Sequence, residues 1–147
     1  MKFSICVLTA FITICSCGDE LPAGKVPSIV QNSVTTKFPG AIDIDWKKNS
    51  TGYEAEFDLN NIEHTVHVDS AGNLILSKHA IKEEEIPAAI VTRVSADYNG
   101  YKIDDAEMLE RDTMIYYQAE LESKGKKDVK LVLFADGSLA TQLKYVN

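Results

Sequence analysis

Cysteine is absent from most of the chain: Cys6, Cys15 and Cys17 all fall within the first 17 of its 147 residues. A disulfide framework in the remainder is therefore excluded. A basic excess is also missing, since the formal net charge is -7. This argues against a nucleic-acid partner, which needs clustered lysine and arginine to neutralise phosphates. After Cys17 no apolar run approaches the roughly 18 residues typical of a membrane-spanning helix.

Recognisable catalytic motifs are missing too. The sequence contains no HExxH helix and no glycine-rich phosphate loop, and no cysteine nucleophile follows Cys17. We therefore predict that the protein is not an enzyme and carries no cofactor. Hydrophobic residues at 45% and charged residues at 25% are typical of an ordinary globular protein.

The first residues have the composition of an export leader. Lys2 precedes a largely apolar stretch, 3–15, which is too short to span a bilayer and fits a secretory signal peptide. The segment Ile14-Cys15-Ser16-Cys17 resembles a bacterial lipobox. It predicts a lipoprotein signal peptide over 1–16, lipidation of Cys17 and a tether over 17–25. The alternative is an ordinary secreted protein that is cut nearby.

A lipid anchor at Cys17 predicts a location in the cell envelope. The expected site is the outer membrane, on its periplasmic side or at the cell surface. The acidic pair in Gly18-Asp19-Glu20 resembles the surface-export signal of lipoproteins from the Bacteroidetes.

The remainder of the chain contains an internal repeat, which must be recognised before any fold is assigned. An apolar periodic stretch begins at Val26-Pro27 and ends at Pro39-Gly40, and a second begins at Ile86-Pro87 and ends at Asn99-Gly100. A proline at the start and a glycine just past the end are typical of a helix. Each stretch therefore predicts a helix of about three turns with one apolar stripe.

Strict alternation of apolar and polar residues follows each predicted helix. It predicts strands with one buried and one solvated face, joined by hairpin turns such as 49–52 and 136–137. The predicted fold is α+β, with repeats over 26–81 and 82–147. Each repeat is a helix plus four antiparallel strands, and together they form one eight-stranded sheet with two helices on one face. Two independent domains are the less favoured layout, because a unit this small buries little surface alone.

These landmarks carry a family resemblance. The segments Phe38-Pro39-Gly40-Ala41, Gly52-Tyr53-Glu54-Ala55-Glu56-Phe57 and Asp69-Ser70-Ala71-Gly72-Asn73-Leu74, with Trp46, resemble the PepSY-like or β-lactamase-inhibitor-like (BLIP-like) family, which is common among Bacteroidetes lipoproteins. The second copy lacks the Pro-Gly-Ala step and the tryptophan. The resemblance implies an extracytoplasmic binder whose relatives include enzyme inhibitors acting through the open face of the sheet. It supplies no catalytic residues.

Two outward-facing regions of the predicted sheet are candidate sites. In repeat 1 the outward positions are acidic and include Glu54 and Glu56, which could hold a hard cation or simply be solvated. In repeat 2 an apolar and aromatic patch alternates outward, and such patches often mark binding surfaces. Its residues are Met114, Tyr116, Val132 and Phe134. The alternative is that the tether, a loop or a dimer partner covers this patch.

Two histidines on one predicted strand are three positions apart and so point to opposite faces. They cannot share a metal, and no metal site is predicted. His64 is expected to be inward and structural, and His67 outward and solvated.

The leading functional hypothesis is a non-catalytic lipoprotein that binds an envelope protein or peptide through the open sheet face, with inhibition or regulation of that partner as a further option. The alternative is a small-molecule or cation-binding envelope protein that uses the acidic face of repeat 1. The partner itself is not specified by the sequence.

Overall fold

The computed structural model describes residues 19–147, so the predicted leader and Cys17 lie outside the described residues. Two α-helices and eight strands follow one another along the chain, with a short 3-10 turn before each helix. They are β1 (Asp19–Glu20), α1 (Ser28–Lys37), β2 (Ile42–Asn49), β3 (Gly52–Leu59), β4 (Ile62–Val68), β5 (Leu74–Ala80), α2 (Ala88–Asp97), β6 (Lys102–Arg111), β7 (Met114–Glu122) and β8 (Val129–Leu133).

Both helices form where the sequence predicts them. Pro27 and Pro87 immediately precede α1 and α2, which have ten residues each. Proline fits this position because its ring fixes a helical φ and its missing N–H is not needed in the first turn. Past each helix, Gly40 and Gly100 take positive φ values of 97° and 84°, which lets the chain reverse into the next strand.

The strands form one sheet in which every strand pairs antiparallel with its neighbours in sequence, from β1 to β8. Repeat 1 contributes the four strands β2 to β5, as predicted. Repeat 2 contributes only β6, β7 and β8. The two-residue β1, from the predicted tether, brings the sheet to eight strands.

The fourth strand predicted for repeat 2 does not form. Residues 139–145 correspond to β5 in the repeat, but only a single bridge joins Leu139 to Leu133. The chain then leaves the sheet edge, and Leu143, Tyr145 and Val146 pack against buried residues of β5 to β8. Apolar burial on the face of the sheet thus replaces the edge hydrogen bonds that a fourth strand would make.

One face of the sheet carries the two main cores. Val30 and Val34 of α1 pack with Trp46, Tyr53 and Phe57. In repeat 2, Ile90 and Val94 of α2 pack with inward residues of β7 and β8, which include Ala119, Leu121 and Leu133. Direct partners in an antiparallel ladder share a face. An unbroken row of such partners joins the two cores: Phe57, His64, His79, Met108, Tyr117 and Leu133. The residues that α1 and α2 contact therefore lie on the same face by register.

The turn after β4 anchors α1 to the sheet. Ser33 Oγ of α1 donates a hydrogen bond of 2.6 Å to the carbonyl of Gly72. A Cβ at Gly72 would lie 2.9 Å from both Ile29 Cγ1 and Ser33 Oγ, so only glycine allows this approach. The helix is thereby fixed on one face and leaves the opposite face open for other contacts.

Candidate binding face of the sheet

The face opposite the helices, called here the open face, carries outward residues of β2 to β8. In repeat 1 its centre is an ion cluster. Lys47 Nζ lies 2.8 Å from Glu56 Oε1 and 3.6 Å from Glu54 Oε1. His67 Nε2 lies 3.3 Å from Glu54 Oε2. Direct cross-strand pairing of Lys47 with Glu54, and of Glu54 with His67, produces this arrangement.

Lys47 offsets one of the two negative charges of this cluster. Burial opposes the charge on Lys47, but the hydrogen bond to Glu56 and the charges of both carboxylates outweigh that effect and raise the pKa of Lys47. Glu54 and Glu56 do point outward, as the alternation predicts. One of their two negative charges is compensated by a lysine of the neighbouring strand, so this part of the open face of repeat 1 is an ion network that keeps an excess of one negative charge.

A second ion pair continues the network into repeat 2. Lys78 Nζ lies 2.7 Å from Glu107 Oε1, and both side chains are nearly buried, at 10% and 15% exposure. The other oxygen of Glu107 accepts a hydrogen bond of 2.7 Å from Gln118 Nε2. Polar side chains therefore run in an ordered series across six strands, from β2 to β7. Among residues 19–147, no group of three or more His, Cys, Asp or Glu side chains is arranged to hold a metal ion.

The apolar patch predicted in repeat 2 is present on the open face, but most of it is covered. Tyr116 and Val132 are each only 7% exposed, whereas Met114 is 50% exposed. Phe134 is half-buried, with its ring 5.2 Å from that of Tyr116. The cover is residues 140–147 of the same chain, called here the covering segment. Partner binding by the four predicted residues stays a prediction.

Gln118 fixes the covering segment to the open face. Its Oε1 accepts a hydrogen bond of 2.7 Å from the backbone N–H of Val146, and its Nε2 donates one of 3.0 Å to the Val146 carbonyl. Gln118 is fully buried. The side-chain amide thus pairs with both backbone groups of one residue much as a neighbouring strand would. At the end of the segment, Lys130 Nζ donates to Asn147 Oδ1 at 2.9 Å and lies 4.6 Å from the centre of the Tyr145 ring.

Tyr145 is held in its neutral form. Burial, followed by the negative charges of Glu107, Asp105 and Glu120, raises the pKa of Tyr145. The same carboxylates raise the cost of a negative charge for any group at this position. The part of the open face beneath the covering segment therefore favours neutral or cationic groups.

The two histidines of β4 occupy opposite faces, as predicted. His64 is inward and stacks with Phe57 at 5.5 Å and His79 at 4.8 Å between ring centres. The prediction that His67 is solvated is wrong: its side chain is only 21% exposed and lies against Glu54. Neighbouring long side chains on adjacent strands cover it, which alternation along a single strand does not reveal.

Acid is expected to destabilise the fold through these histidines. Burial, with the nearby His79, lowers the pKa of His64, and burial, only partly opposed by Glu54, lowers the pKa of His67. The unfolded chain therefore binds more protons below its ordinary histidine pKa of about 6.5, and the free energy of unfolding falls as pH falls through that value.

Urea unfolding at pH 7.5, 6.5 and 5.5 measures this effect. A His64→Phe/His67→Gln variant should lose less stability than the natural chain between pH 7.5 and 5.5. Equal losses in the two proteins would contradict the assignment.

Several residues of the open face were not found from sequence. Lys47 and Lys78 alternate outward on their strands, and that signal could have placed them beside the carboxylates. Gln118 also alternates outward, but nothing local indicates that it bonds to a backbone 28 positions away. Trp46 and Tyr53, by contrast, do not belong to the open face, because they are buried in the core that packs with α1, at 5% and 8% exposure.

The α+β architecture with an open antiparallel sheet matches a known family. The family described as "Putative beta-lactamase-inhibitor-like, PepSY-like" matches twice, over residues 13–76 and 76–141. The chain belongs to this family, which confirms the resemblance seen in its sequence. A comparison with curated proteins finds no match.

Solved structures share the fold. A BLIP-like protein from Bacteroides fragilis is 23% identical, with a TM-score of 0.67 over 81% of this chain and 84% of that one. A DUF2874 family protein from Bacteroides uniformis is 17% identical, with a TM-score of 0.71 over 78% and 86% of the two chains. One of the "putative periplasmic proteins" from Bacteroides eggerthii is 14% identical, with the same TM-score and coverage. Within residues 19–147, no helix is long and apolar enough to cross a membrane.

Proposed function

We propose that this protein is a non-catalytic, extracytoplasmic binding protein that holds an envelope protein or peptide on the open face of its sheet. The observation that carries the proposal is the covering segment. It is a length of chain that docks on this face through apolar side chains and a bidentate amide, so the face has the chemistry to hold a peptide.

The accessible part of the open face offers a contact surface of mixed character. Met114 is a half-exposed apolar side chain whose sulfur lies 3.6 Å from the Tyr116 hydroxyl, and the Tyr116 ring in turn packs against the half-buried Phe134. Farther across the sheet, Glu56 retains 33% side-chain exposure. Apolar anchors with charged groups around them are typical of transient interfaces, where the charges add orientation and speed of association.

The family relation supports a binding role over a catalytic one. Its description and that of the Bacteroides fragilis protein both refer to a β-lactamase inhibitor. Inhibitors act by occupying a partner's surface and need no catalytic groups of their own. Inhibition or regulation of the bound partner is part of the proposal.

The alternative, a cation or small-molecule site at Glu54 and Glu56, is less well supported. A hard cation needs several oxygen ligands that are free to approach it. The ammonium of Lys47 already lies against both carboxylates. A bound cation would have to displace it, and no observation favours that exchange.

Partner capture with matched variants tests the proposed face. Residues 18–147, which include every described element, are immobilised and exposed to a detergent extract of the parent cell envelope. We expect a partner that is retained by the natural chain and lost with Met114→Asp. The matched control is Val91→Asp, which places the same charge on a 43% exposed side chain of α2.

Equal retention by all three proteins would contradict binding at the open face. Retention should also fall with added salt if charged groups such as Glu56 take part, because screening weakens exposed ion pairs.

We further propose that Cys17 is lipidated and anchors the protein to the outer membrane, on its periplasmic side or at the cell surface. The support is the lipobox-like segment 14–17 in the sequence. Expression of the full chain and of Cys17→Ser in a bacterium that processes lipoproteins tests this. The natural chain is expected in the membrane fraction and the variant in the soluble fraction. Membrane association of the variant would argue against the anchor.

A further inference from the structure

The two repeats use corresponding residues in different ways. In repeat 1, residues 74–80 form β5 and pair along both β4 and β6. In repeat 2, residues 139–145 keep one bridge and one hydrogen bond of 2.8 Å, from the N–H of Ala140 to the carbonyl of Val132. The chain then crosses the open face of its own repeat.

The covering segment is held much as a bound peptide would be. Leu143, Tyr145 and Val146 are its apolar anchors, and they pack on Leu109 and on neighbouring residues of the patch. Gln118 provides both of the hydrogen bonds that align the backbone at Val146. The segment first turns at 140–143, where the N–H of Leu143 donates to the carbonyl of Ala140 at 2.9 Å, and its apolar anchors follow. These contacts recognise a short apolar motif and one backbone position, so a second chain with the same motif could make them equally well.

The covering segment is attached to the sheet by fewer contacts and hydrogen bonds than a strand is. Beyond the backbone hydrogen bond of Ala140, the segment contacts the sheet through a few apolar anchors and side-chain hydrogen bonds. Thr141, Gln142, Lys144 and Asn147 remain exposed. Segments with few buried contacts and few backbone hydrogen bonds open at lower free energy than the rest of a fold.

The surroundings define what could replace the segment. Asp105, Glu107 and Glu120 lie close enough to Tyr145 to act on its hydroxyl electrostatically. Lys78 pairs with Glu107 at 2.7 Å and Lys130 with Glu120 at 3.3 Å, so one negative charge remains in excess among these five groups. This excess disfavours an anionic ligand and favours a neutral or basic one. The covering segment fits this condition, since its one charged side chain is Lys144.

We propose that the covering segment is an intramolecular ligand that closes the peptide-binding part of the open face, and that the partner displaces it with a neutral or basic segment that carries an aromatic and an aliphatic anchor in sequence. The inference rests on the proposed function and specifies its ligand and its control. Because a tethered segment competes at a high effective concentration, the closed protein binds such a peptide weakly. Release of the segment exposes Tyr116 and Val132.

A peptide with the sequence of residues 139–147 is the probe, labelled with a fluorophore and followed by anisotropy. The protein is residues 18–147, natural or with Leu143→Asp/Val146→Asp, which removes two anchors and leaves the sheet unchanged. We expect the released variant to bind the probe at least about tenfold more tightly than the natural chain, because the internal competitor is gone. The control Thr141→Asp/Gln142→Asp adds the same charge at exposed positions of the same segment and should bind like the natural chain.

Two further measurements make the result decisive. Tyr145→Ala serves as the test variant if the double variant does not fold. It removes one anchor only and should tighten probe binding by a smaller factor. A probe in which the positions of Tyr145 and Val146 are alanine should not bind. Folded variants that bind the natural probe no more tightly than the unaltered chain would overturn the proposal.

Light scattering on the natural chain tests whether a second copy of the chain, and not the covering segment or an envelope partner, occupies the open face. A dimer that dissociates with Leu143→Asp/Val146→Asp would assign the face to a second copy of this chain and would also overturn the proposal. A different outcome is that the released variant binds the probe but no envelope protein is lost with Met114→Asp. That result would contradict the proposed function and leave the internal ligand established.

Discussion

Replacement of Gly52 by alanine is expected to lower the free energy of unfolding by about 2–4 kcal/mol, through steric overlap and backbone strain. Gly52 opens β3 after the turn 49–51 and has a φ of 150°, which side-chain-bearing residues rarely adopt. A Cβ there would overlap the carbonyl oxygen of Val68 and lie 2.9 Å from the Cα of Asp69. Both neighbours are backbone atoms, so no side-chain rotation can make room, and the end of β4 must move.

The matched control for this variant is Gly24→Ala. A Cβ at Gly24 meets no atom within 4 Å, and its φ lies outside the range that favours glycine. The control removes the same backbone freedom from the unfolded chain, so its stability should change by less than about 1 kcal/mol, if anything upward. Urea unfolding followed by Trp46 fluorescence reports on both variants. Similar midpoints for Gly52→Ala and the natural chain would show that the β3–β4 register is far more tolerant than its geometry indicates.

The fold of repeat 1 could be predicted well because its signals are local. Proline before and glycine after α1 mark the helix, and strict alternation marks β3 and β4. Glycine, asparagine and aspartate at the turns then restrict the connections to hairpins. Each of these features acts over a few residues and can be recognised without knowing the tertiary structure.

A covered patch was one of the alternatives that the sequence left open, but which segment covers it could not be predicted because the position of that segment depends on distant residues. By repeat alignment Leu143 and Tyr145 belong to a strand, and their own sequence does not contradict that. They leave the strand position because they pack on the apolar surface that includes Leu109 and Tyr116 and because the amide of Gln118 binds the backbone of Val146. Burial of an apolar patch by a nearby free segment is a tertiary effect, and it overrides the local preference.

The candidate site was predicted in outline and not in its electrostatics. Alternation placed Glu54, Glu56, Tyr116 and Val132 on the open face correctly. It treated each strand separately, however, and so missed that Lys47 of the neighbouring strand would lie against both carboxylates and offset one of their two charges. Cross-strand register, which depends on turn lengths and bulges, determines which charges meet.

Loss of the ammonium at Lys78 should have the second large effect. Lys78→Met is expected to reduce the free energy of unfolding by about 3 kcal/mol, because removing one partner of a nearly buried ion pair leaves the other charge without compensation. The charge left without a partner would be that of Glu107, whose side chain is only 15% exposed. Asp105 is close by, and burial together with the charge of Glu107 already raises the pKa of Asp105.

A double variant and a pH series separate this mechanism from simple loss of packing. Lys78→Met/Glu107→Gln removes both charges and should recover most of the lost stability, whereas Lys124→Met, at an exposed position, should change little. The deficit of Lys78→Met should shrink as pH falls towards the range where carboxylates titrate. The sign follows because burial disfavours the charged form of an unpaired carboxyl group, so acid, which removes that charge, reduces the penalty. A deficit that is independent of pH, or a double variant as unstable as the single one, would assign the effect to packing.

Lys78→Met should also weaken the attachment of the covering segment to the sheet. Glu107 accepts hydrogen bonds from both Lys78 and Gln118, and Gln118 in turn holds both backbone groups of Val146. Without Lys78, the glutamate loses its fixed position, and the amide that aligns the segment loses its support. Lys78→Met should therefore loosen the covering segment, although it alters no residue of the segment, and the backbone N–H of Val146 should exchange with solvent faster than in the natural chain. The 139–147 probe is not the readout here, because it would use the same Gln118 amide. Unchanged exchange at Val146 in a destabilised Lys78→Met would show that the ion pair supports the sheet alone and that the network ends at Glu107.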